Sequence, residues 1–587
     1  MRNFPTQYNL RQTDVMYFCH IPKTAGMTFR TIIEDQFPCD DVCPATLNAQ
    51  LRKLTPEELR QYRLFRGHLG FSNLPDLLAD KRVINITILR EPIARVISHY
   101  DYIRRMPGDP HYAAVKDMTL EEFAQRLTAG KLGKNIQTYH VAKTTQSSLD
   151  KLSVAETLDL AKTSLDQFGF VGLVERFQDS LFLLSYIFGW KPILNSRREN
   201  AAKVKKPVDE IPESTLAVIR ANSQLDAQLY DYAREIFELR FAAMQHDLLS
   251  RFGDQVVPQL MPDLRSDPDL KLSIGQLTQL LELHYDERYR QQHPHPAERY
   301  FYDFNQPLRG DGWQRREYPL NDMASYRWIG PEPIATLDMP VPTDQDACLE
   351  FQLICTTATL PEVLNSLTLK ANGKPVIASL LQGDQDRRLM IAWLPQAVLQ
   401  SSRPFTHLEF QVNRTLALNS IDPKNPDTRS VGLAFNLFQI YPAHLANQYS
   451  LVGSMFDTQP WVETAKFLQE QTQPADPIAA PLAFKIQLPN PISDYRTFAK
   501  KGHFPWVVVH KGMLEAVDTA MPRLILEGYA PVFANEVFVI FSKRSLPKIS
   551  YFTAHVKSLY VDFLRRSFTN WMKPIRNRFA RQPEVSV

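Results

Sequence analysis

The sequence predicts an α/β protein that begins with a parallel sheet flanked by helices and continues into a β-sandwich and a second, small α/β domain. Three observations predict this arrangement. Strand-like and helix-like segments alternate over residues 1–250, short strand-like segments separated by turn signals follow over 300–445, and helix and strand alternate again over 446–545. Since 587 residues exceed an ordinary domain of about 150 residues, several domains are expected.

In the first domain, residues 1–250, each predicted strand is followed by a helix. An apolar run over 15–21 leads through a loop into a helical pattern over 26–36, and the β-branched run RVINITIL (82–89) is typical of a central parallel strand. Pro92 opens the next helix, and a strand over 170–174 precedes a helix over 177–188. Because parallel neighbours require crossover connections, this alternation predicts a parallel sheet.

The rest of the chain divides where the pattern changes. Residues 251–299 are rich in proline and charge and predict a helical linker. Short alternating segments bounded by turns predict the sandwich over 300–445, with strands near 347–355, 366–370, 407–412 and 432–441. Residues 446–545 predict the small α/β domain, whose role the sequence does not indicate, and residues 546–587 form a basic amphipathic tail.

Tryptophans in the sandwich segment allow two interpretations. Trp313 and Trp328 lie beside polar residues, which is typical of sugar-binding surfaces, so the domain is a candidate for carbohydrate binding. Alternatively, both side chains pack the core of the sandwich.

Charge is nearly balanced overall and uneven locally. Sixty-seven basic and 64 acidic residues give a net charge of +3, which argues against a polycation for nucleic acid. Ten lysines or arginines and the single acid Asp562 lie between Lys543 and Arg581. A basic amphipathic helix of this kind could lie on an anionic membrane surface or grip an acidic glycan, and a terminal helix that packs on its own protein is the alternative.

Cysteine use and hydropathy bear on compartment and metal content. Five scattered cysteines argue against a secreted disulfide framework, and neither a signal peptide nor an apolar run of 18 residues occurs. We therefore expect a cytoplasmic protein whose tail can contact a membrane. Cys39 and Cys43 could begin a metal site, but no second pair completes it, so no metal is predicted.

The segment HIPKTAGMTF (20–29) carries the first chemical signal. It joins an apolar strand to a helix through a loop that holds Lys23, Thr24 and Gly26. Such a junction offers free backbone N–H groups and the positive end of the helix dipole to an anion, which makes the sheet P-loop-like. The Walker A spacing is absent, and an ordinary loop between strand and helix is the alternative.

A second signal lies in ILREPIARVISHY (88–100), again where a strand ends and a helix begins. Arg90 lies at the carboxyl end of the strand, where open α/β sheets bind ligands, and Ser98 follows two helical turns later. A forked guanidinium and a hydroxyl suit a terminal phosphate. Two anion sites on adjacent strands would fit a nucleotide with phosphates at both its 5′ and 3′ positions, whereas Arg90 alone could simply form a salt bridge.

These two segments resemble the nucleotide-binding signatures of carbohydrate sulfotransferases, in the branch of the heparan sulfate 2-O- and 6-O-sulfotransferases and their bacterial relatives. The segments FVGLVERFQDSL (170–181) and LDAQLY (225–230) resemble the same family, and the resemblance covers about residues 13–245. It implies the sulfotransferase fold and the donor 3′-phosphoadenosine 5′-phosphosulfate (PAPS), with no metal. It also implies that a carbohydrate or glycoconjugate accepts the sulfuryl group.

The resemblance assigns roles to individual residues. It implies that the 5′-phosphosulfate is bound by a loop of six residues, with Lys23 also catalytic, and that the 3′-phosphate is bound by Arg90 and Ser98. The six loop residues are Lys23, Thr24, Ala25, Gly26, Met27 and Thr28. Met27 stands where relatives often carry a hydroxyl, and Glu91 replaces the usual aspartate. Lysines 203, 205 and 206 could close over the nucleotide or lie in a solvated loop.

RGHLGF (66–71) resembles a Gly-His segment in which a histidine serves as base, so we expect His68 to be the second catalytic residue. An imidazole with a pKa of about 6.5 can accept a proton near neutrality. Glu34 and His140 are alternative bases, and His68 could instead be a packed core residue. Two other functions stay open at this point: a kinase or nucleotidase with a degenerate phosphate loop, and an inactive glycan-binding adaptor.

Overall fold

The computed structural model describes residues 10–69, 74, 78, 80–126, 134–146, 148–194, 210–259, 272–295, 297–317, 325–341, 344–356, 358–383, 386–451, 459–481, 484–485, 487–493, 495–500, 502–511, 514–561, 563–565 and 567. The chain forms two compact units. The first comprises Met1–Pro294 and Asn305–Leu308, and the second comprises His295–Phe304 and Arg309–Val587.

The first unit is built on a parallel sheet. In its described part, β1 (Val15–Phe18), β2 (Leu64–Phe65), β3 (Val83–Leu89) and β4 (Phe170–Leu173) pair in the order β2-β1-β3-β4. Every pair is parallel, with Phe18 opposite Ile86 and Leu89 opposite Leu173. The predicted parallel α/β arrangement is thereby confirmed, and the carboxyl ends of β1 and β3 lie side by side.

Helices connect and cover these strands. α1 begins at Gly26 directly after the loop that follows β1, and α4 begins at Pro92 directly after β3. The helices of this unit are α1 (Gly26–Glu34), α2 (Asn48–Leu51), α3 (Pro56–Leu59), α4 (Pro92–Arg105), α5 (Tyr112–Val115), α6 (Leu120–Arg126), α7 (Ile136–Ala142), α8 (Val154–Gln167), α9 (Phe177–Phe188), α10 (Glu213–Asn222), α11 (Gln224–Val256) and α12 (Ile274–Gln292).

Helix α12 lies in the segment for which a linker is predicted. Its Leu277, Leu280 and Leu281 are buried in the same apolar core as the strands of the parallel sheet. The helix therefore adds to the first unit, although its proline- and charge-rich flanks resemble a linker in composition.

The second unit contains mostly antiparallel strands. One sheet has the order β10-β9-β13-β7, and another has the order β11-β12-β8-β16-β5 with β6 on β16. The strands are β5 (Tyr300–Asp303), β6 (Arg327–Trp328), β7 (Ile334–Met339), β8 (Ala347–Ile354), β9 (Thr368–Ala371), β10 (Lys374–Val376), β11 (Ala378–Gly383), β12 (Arg387–Leu394), β13 (Thr406–Gln411), β14 (Leu416–Ala417), β15 (Ser430–Val431) and β16 (Ala434–Pro442). Short helices interrupt them: α13 (Pro361–Leu364), α14 (Gln396–Leu399), α15 (Leu418–Ile421) and α16 (Ala446–Tyr449).

Aromatic side chains join these two sheets. The Phe410 ring of β13 lies 5.4 Å from that of Phe351 in β8 and 5.2 Å from that of Phe435 in β16. Trp313 and Trp328 are only 1% and 4% exposed, and Trp313 packs against Phe435. Both tryptophans therefore pack the interior, which is the second of the two interpretations of these residues. Carbohydrate binding by this domain stays a prediction that these side chains do not support.

A mixed sheet follows, with the order β18-β17-β19-β21-β20. Its strands are β17 (Ile478–Ala479), β18 (Ile492–Ser493), β19 (Trp506–His510), β20 (Ala530–Ala534) and β21 (Phe538–Ser542), and its helices are α17 (Gln459–Gln471), α18 (Tyr495–Lys500) and α19 (Leu514–Leu526). Residues 554–561 form a further helix, whose Val556 and Leu559 are buried against this sheet. About half of the predicted basic tail, including residues 568–587, lies outside the described residues.

Among the described residues, the helices are each too short or too polar to cross a bilayer.

Candidate active site

The loop between β1 and α1 has an unusual backbone. Lys23 and Ala25 have φ angles of 71° and 58°, in the left-handed region that side-chain-bearing residues seldom adopt. Strain of this kind costs about 1–3 kcal/mol per residue and persists at sites where the surrounding structure imposes it. Successive amides in alternating conformations at a helix start form a concavity that binds anions.

The side chains of this loop divide into supporting and accessible ones. Thr24 is fully buried, and its hydroxyl donates to the carbonyl of Ile21 at 2.9 Å, so it braces the loop. Thr28 is buried in the first turn of α1, and Met27 is 42% exposed. A Cβ added to Gly26 would lie 1.9 Å from Nε2 of His20, so any larger residue at the first position of α1 would have to displace the His20 ring.

Lys23 is held at the open side of the loop. Its ammonium nitrogen lies 3.7 Å from the centre of the Tyr102 ring, which is presented by α4. Burial, and then the positive charges of Arg105 and Arg90, lower the pKa of Lys23 from 10.5 to about 8, although Asp109 opposes the shift. A lysine among like charges gains an especially large electrostatic benefit from a bound anion.

Arg90 lies at the carboxyl end of β3 and reaches the same loop. Its Nη1 donates to the carbonyl of Lys23 at 3.1 Å. This hydrogen bond directly joins the two predicted anion sites, the loop after β1 and the carboxyl end of β3. Its Nε is buried and has no protein partner among the described residues. Desolvation lowers the pKa of this guanidinium, so a bound anion would also relieve an electrostatic cost.

Helix α4 carries Ser98, the second residue predicted to bind the 3′-phosphate, and begins beside Arg90. Glu91 caps the helix, because its carboxylate accepts from the amides of Ile93 at 3.0 Å and Ala94 at 2.7 Å. The glutamate that replaces the usual aspartate thus still performs the cap. Ser98 lies two turns further along the helix and is half-buried.

A scaffold that the sequence alone did not reveal fixes Arg90. The Gln137 side chain accepts from the Arg90 amide at 3.0 Å and donates to its carbonyl at 2.8 Å. Gln137 is positioned in turn by buried Asp226, whose carboxylate accepts from its amide and from the amide and hydroxyl of Thr138. The sequence indicates these residues only by their position: Asp226 lies in the family-like segment 225–230, and Gln137 lies three residues before His140.

Hydrogen bonds to the Glu175 carboxylate join the segments that resemble the sulfotransferase family, close to Glu91. The Glu91 amide donates to one Glu175 carboxylate oxygen at 3.1 Å, and the Tyr230 hydroxyl donates to the other at 2.7 Å. Segments 88–100, 170–181 and 225–230 therefore meet at one place. Lysines 203, 205 and 206 lie outside the described residues.

His68 is held next to the loop by its own segment. Arg66 pairs with Glu34 and donates to the carbonyl of Cys43, and the His68 amide donates to the carbonyl of Thr46 at 2.8 Å. Gly67 has a φ of 113°, and a Cβ there would lie 2.4 Å from that same carbonyl oxygen, so glycine permits the close approach.

The ring of His68 faces both protein and solvent. Its Nδ1 lies 3.2 Å from the carbonyl oxygen of His20, and the two imidazoles stack with centroids 4.3 Å apart. The side chain is exposed, yet the atoms around it desolvate the ring, and this, with Arg30 and Lys23, lowers its pKa below 6.5.

The alternative bases are less suitably placed. Glu34 forms ion pairs with both Arg30 and Arg66, so its carboxylate is already neutralised by two cations. His140 is only 5% exposed, its Nδ1 lies 2.9 Å from the carbonyl oxygen of Ile136, and burial lowers its pKa to about 4.

Comparison with known proteins finds similar sequences over the part of the chain that contains this site. Residues 6–240 match the model of the sulfotransferase family. The chain is 24% identical over 287 residues to heparan-sulfate 6-O-sulfotransferase 2 of Gallus gallus, covering 40% of this chain and 70% of the relative. Similarity to heparan-sulfate 6-O-sulfotransferase 1 of Cricetulus griseus is 24% over 286 residues, with the same coverage, and to that of Homo sapiens 24% over 286 residues, covering 40% and 68%.

The matched residues contain the strained loop, Arg90 with its scaffold, and His68. The chain therefore carries, in residues 6–240, an enzyme domain of the sulfotransferase family.

Proposed function

We propose that the protein transfers a sulfuryl group from PAPS to a hydroxyl of a carbohydrate, with His68 as the base. The observation that carries this proposal is the direct link between Lys23 and Arg90 at the ends of two adjacent parallel strands. The glycan acceptor is supported by the relatives, whose names state that they sulfate heparan sulfate.

The residues present suit a nucleotide with phosphates at both ends. The strained loop and the start of α1 offer amides to a 5′-phosphosulfate, and Lys23 offers a charge. The buried Nε of Arg90 and the Ser98 hydroxyl suit a 3′-phosphate. In this assignment Thr24 braces the loop, Gly26 and Thr28 contribute backbone near the phosphosulfate, and Ala25 and Met27 shape its rim.

When bound, PAPS supplies the sulfuryl group, and 3′-phosphoadenosine 5′-phosphate is the leaving group. Sulfuryl transfer resembles phosphoryl transfer, in which charge accumulates on the leaving and peripheral oxygens, so catalysis is mainly positioning and electrostatics. Lys23 and the loop amides neutralise the leaving phosphate. His68 accepts the proton of the acceptor hydroxyl while the new O–S bond forms, and its exposed ring then releases that proton to solvent.

This assignment explains why a kinase or nucleotidase is the weaker alternative. A kinase has no need for a guanidinium aimed at a 3′-phosphate, and the loop lacks the Walker A spacing. The inactive adaptor is the other alternative, and it predicts nucleotide binding without turnover.

We expect Lys23→Ala and His68→Ala each to lower kcat at least ~100-fold, the typical size of one electrostatic or acid–base contribution. The assay is transfer of labelled sulfate from PAPS to a panel of glycans that includes desulfated heparan sulfate. Lys53→Ala, at an exposed lysine in the same unit, is the matched control.

Near-normal turnover in either active-site variant would remove that residue from the mechanism. No transfer to any glycan by a protein that still binds the nucleotide would favour the adaptor.

In addition, we propose that the protein is cytoplasmic and that its basic tail makes peripheral contact with membranes. The terminal helix supports this second proposal, because it buries Val556 and Leu559 while Val561 and Leu564 on its other side are 50% and 62% exposed.

A further inference from the structure

His20 belongs to the loop segment, yet nothing in the mechanism above uses its side chain. The ring is 5% exposed and is enclosed by three neighbours. The Phe18 ring stacks on it with centroids 5.1 Å apart, and the His68 ring stacks on it with centroids 4.3 Å apart. Gly26 packs closely against its Nε2 edge. The buried imidazole of His20 therefore lies between the loop after β1 and the exposed imidazole of His68.

The backbone of His20 constrains the protonation of His68. A carbonyl oxygen can only accept a hydrogen bond, so the 3.2 Å contact requires that Nδ1 of His68 carry the proton. The lone pair of neutral His68 is then on Nε2, the ring atom opposite the carbonyl. A base must present a lone pair, so this contact selects which nitrogen receives the acceptor proton.

The side chain of His20 adds a second constraint. The two rings are inclined by 26°, so His20 offers a flat surface that fixes the plane of the His68 ring. Gly26 contributes because any larger residue would push His20 towards or away from that surface. The charged and titratable groups around this pair are Arg30, Lys23 and His140. Burial lowers the pKa of His20 well below its ordinary value, so the His20 ring stays neutral.

We propose that His20 is a positioning residue for the base: its carbonyl fixes the Nδ1–H tautomer of His68, and its ring holds the His68 imidazole so that Nε2 faces the acceptor hydroxyl. The proton that leaves the hydroxyl is then received on Nε2 as the O–S bond forms and the bond from sulfur to the leaving phosphate breaks. The inference rests on the proposed function, since it takes His68 to be the base.

The test measures the state of the His68 ring in the full-length protein rather than turnover. Histidines labelled with ¹⁵N are titrated by NMR, and the His68 signals are assigned from their loss in His68→Gln. We expect the wild-type ring to be the Nδ1–H tautomer above its pKa, with that pKa below 6.5.

Two variants test the His20 ring, since both keep the backbone carbonyl, and the wild-type tautomer tests the carbonyl. His20→Phe keeps both a carbonyl and a flat ring, so the tautomer should be retained. His20→Ala removes the ring and keeps the carbonyl, so the His68 pKa should rise towards about 6.5 while the Nδ1–H tautomer is retained. His444→Ala, at an exposed histidine of the second unit, should leave the His68 signals unchanged.

An Nε2–H tautomer in the wild-type protein would overturn the inference, and this measurement needs no variant to fold. An unchanged His68 pKa in folded His20→Ala would overturn the role given to the His20 ring. Failure of the base assignment is seen separately, as near-normal turnover of His68→Ala, whatever the tautomer. If His68 is the base and His20 positions it, His20→Ala should lower kcat at least ~10-fold with little change in the KM for PAPS. The kcat of His20→Phe should lie within ~3-fold of the wild-type value.

Discussion

At the scale of single residues, the candidate site is defined by cations that the protein itself leaves incompletely satisfied. Lys23 touches an aromatic ring instead of a carboxylate, and the Nε of Arg90 is buried without a protein partner among the described residues. Buried cations are costly unless they are paired, so an anion bound beside these two groups would be favoured, as the proposed function requires.

The pH dependence of the reaction follows from two residues. His68 must be neutral to accept a proton, so activity should fall as the pH drops through its pKa, which lies below 6.5. Lys23 must be charged to bind the phosphosulfate, so kcat/KM for PAPS should fall as the pH rises through about 8. We therefore expect a bell-shaped profile of kcat/KM, measured from about pH 5 to 10.

One variant identifies the basic limb of this profile. Lys23→Arg should move the basic limb upward, because a guanidinium stays charged throughout this range. A basic limb that stays near pH 8 in Lys23→Arg would assign it to another group.

At the scale of secondary structure elements, the start of α1 lies between the proposed nucleotide site and the proposed base, because Gly26 packs against His20 and His20 stacks on His68. Gly26→Ala should displace the His20 ring, since the new methyl would lie 1.9 Å from its Nε2. We expect the affinity for 3′-phosphoadenosine 5′-phosphate, measured by calorimetry, to fall at least ~10-fold.

Gly275→Ala is the matched control for this substitution. Gly275 also lies in the first turn of a helix, α12, but nothing lies within 4 Å of an added Cβ, so the affinity should not change. Equal affinity in Gly26→Ala and wild type would show that the tight fit of the helix start is not required for binding.

The elements themselves were largely predictable from the sequence. The run over 82–89 and the proline at 92 fixed β3 and the start of α4, because local preference and hydrophobic pattern agree there. The scaffold of Gln137 and Asp226 was not predictable, because it joins residues about 90 positions apart and depends on how helices pack. For the same reason, His20 was visible in the loop segment while its contact with His68 was not.

At the scale of the whole molecule, two compact units share the chain, and the candidate chemistry lies in the first. The second unit begins with aromatic-rich antiparallel sheets, and its last described residues form a helix with an exposed apolar side. Phe552 is 86% exposed just before that helix, and Lys557 is exposed within it. Apolar side chains beside basic ones are typical of segments that lie on anionic membranes.

We therefore expect the full-length protein to co-sediment with vesicles rich in phosphatidylserine and less with vesicles of phosphatidylcholine alone. A chain that ends at residue 545 should lose this binding, and Val561→Ser with Leu564→Ser should weaken it without unfolding the helix, since both side chains are exposed. Equal sedimentation of all three proteins would contradict membrane contact through the tail.

The central claim is that the first unit binds a nucleotide by its 3′-phosphate as well as its 5′-phosphate. The most direct measurement is the thermal unfolding of the full-length protein with 3′-phosphoadenosine 5′-phosphate, AMP or ATP, because a ligand that binds only the folded state raises Tm. The account predicts a rise that is selective for the 3′-phosphorylated nucleotide and is lost in Arg90→Ala. An equal rise with AMP or ATP, or no rise with the 3′-phosphorylated nucleotide, would contradict it.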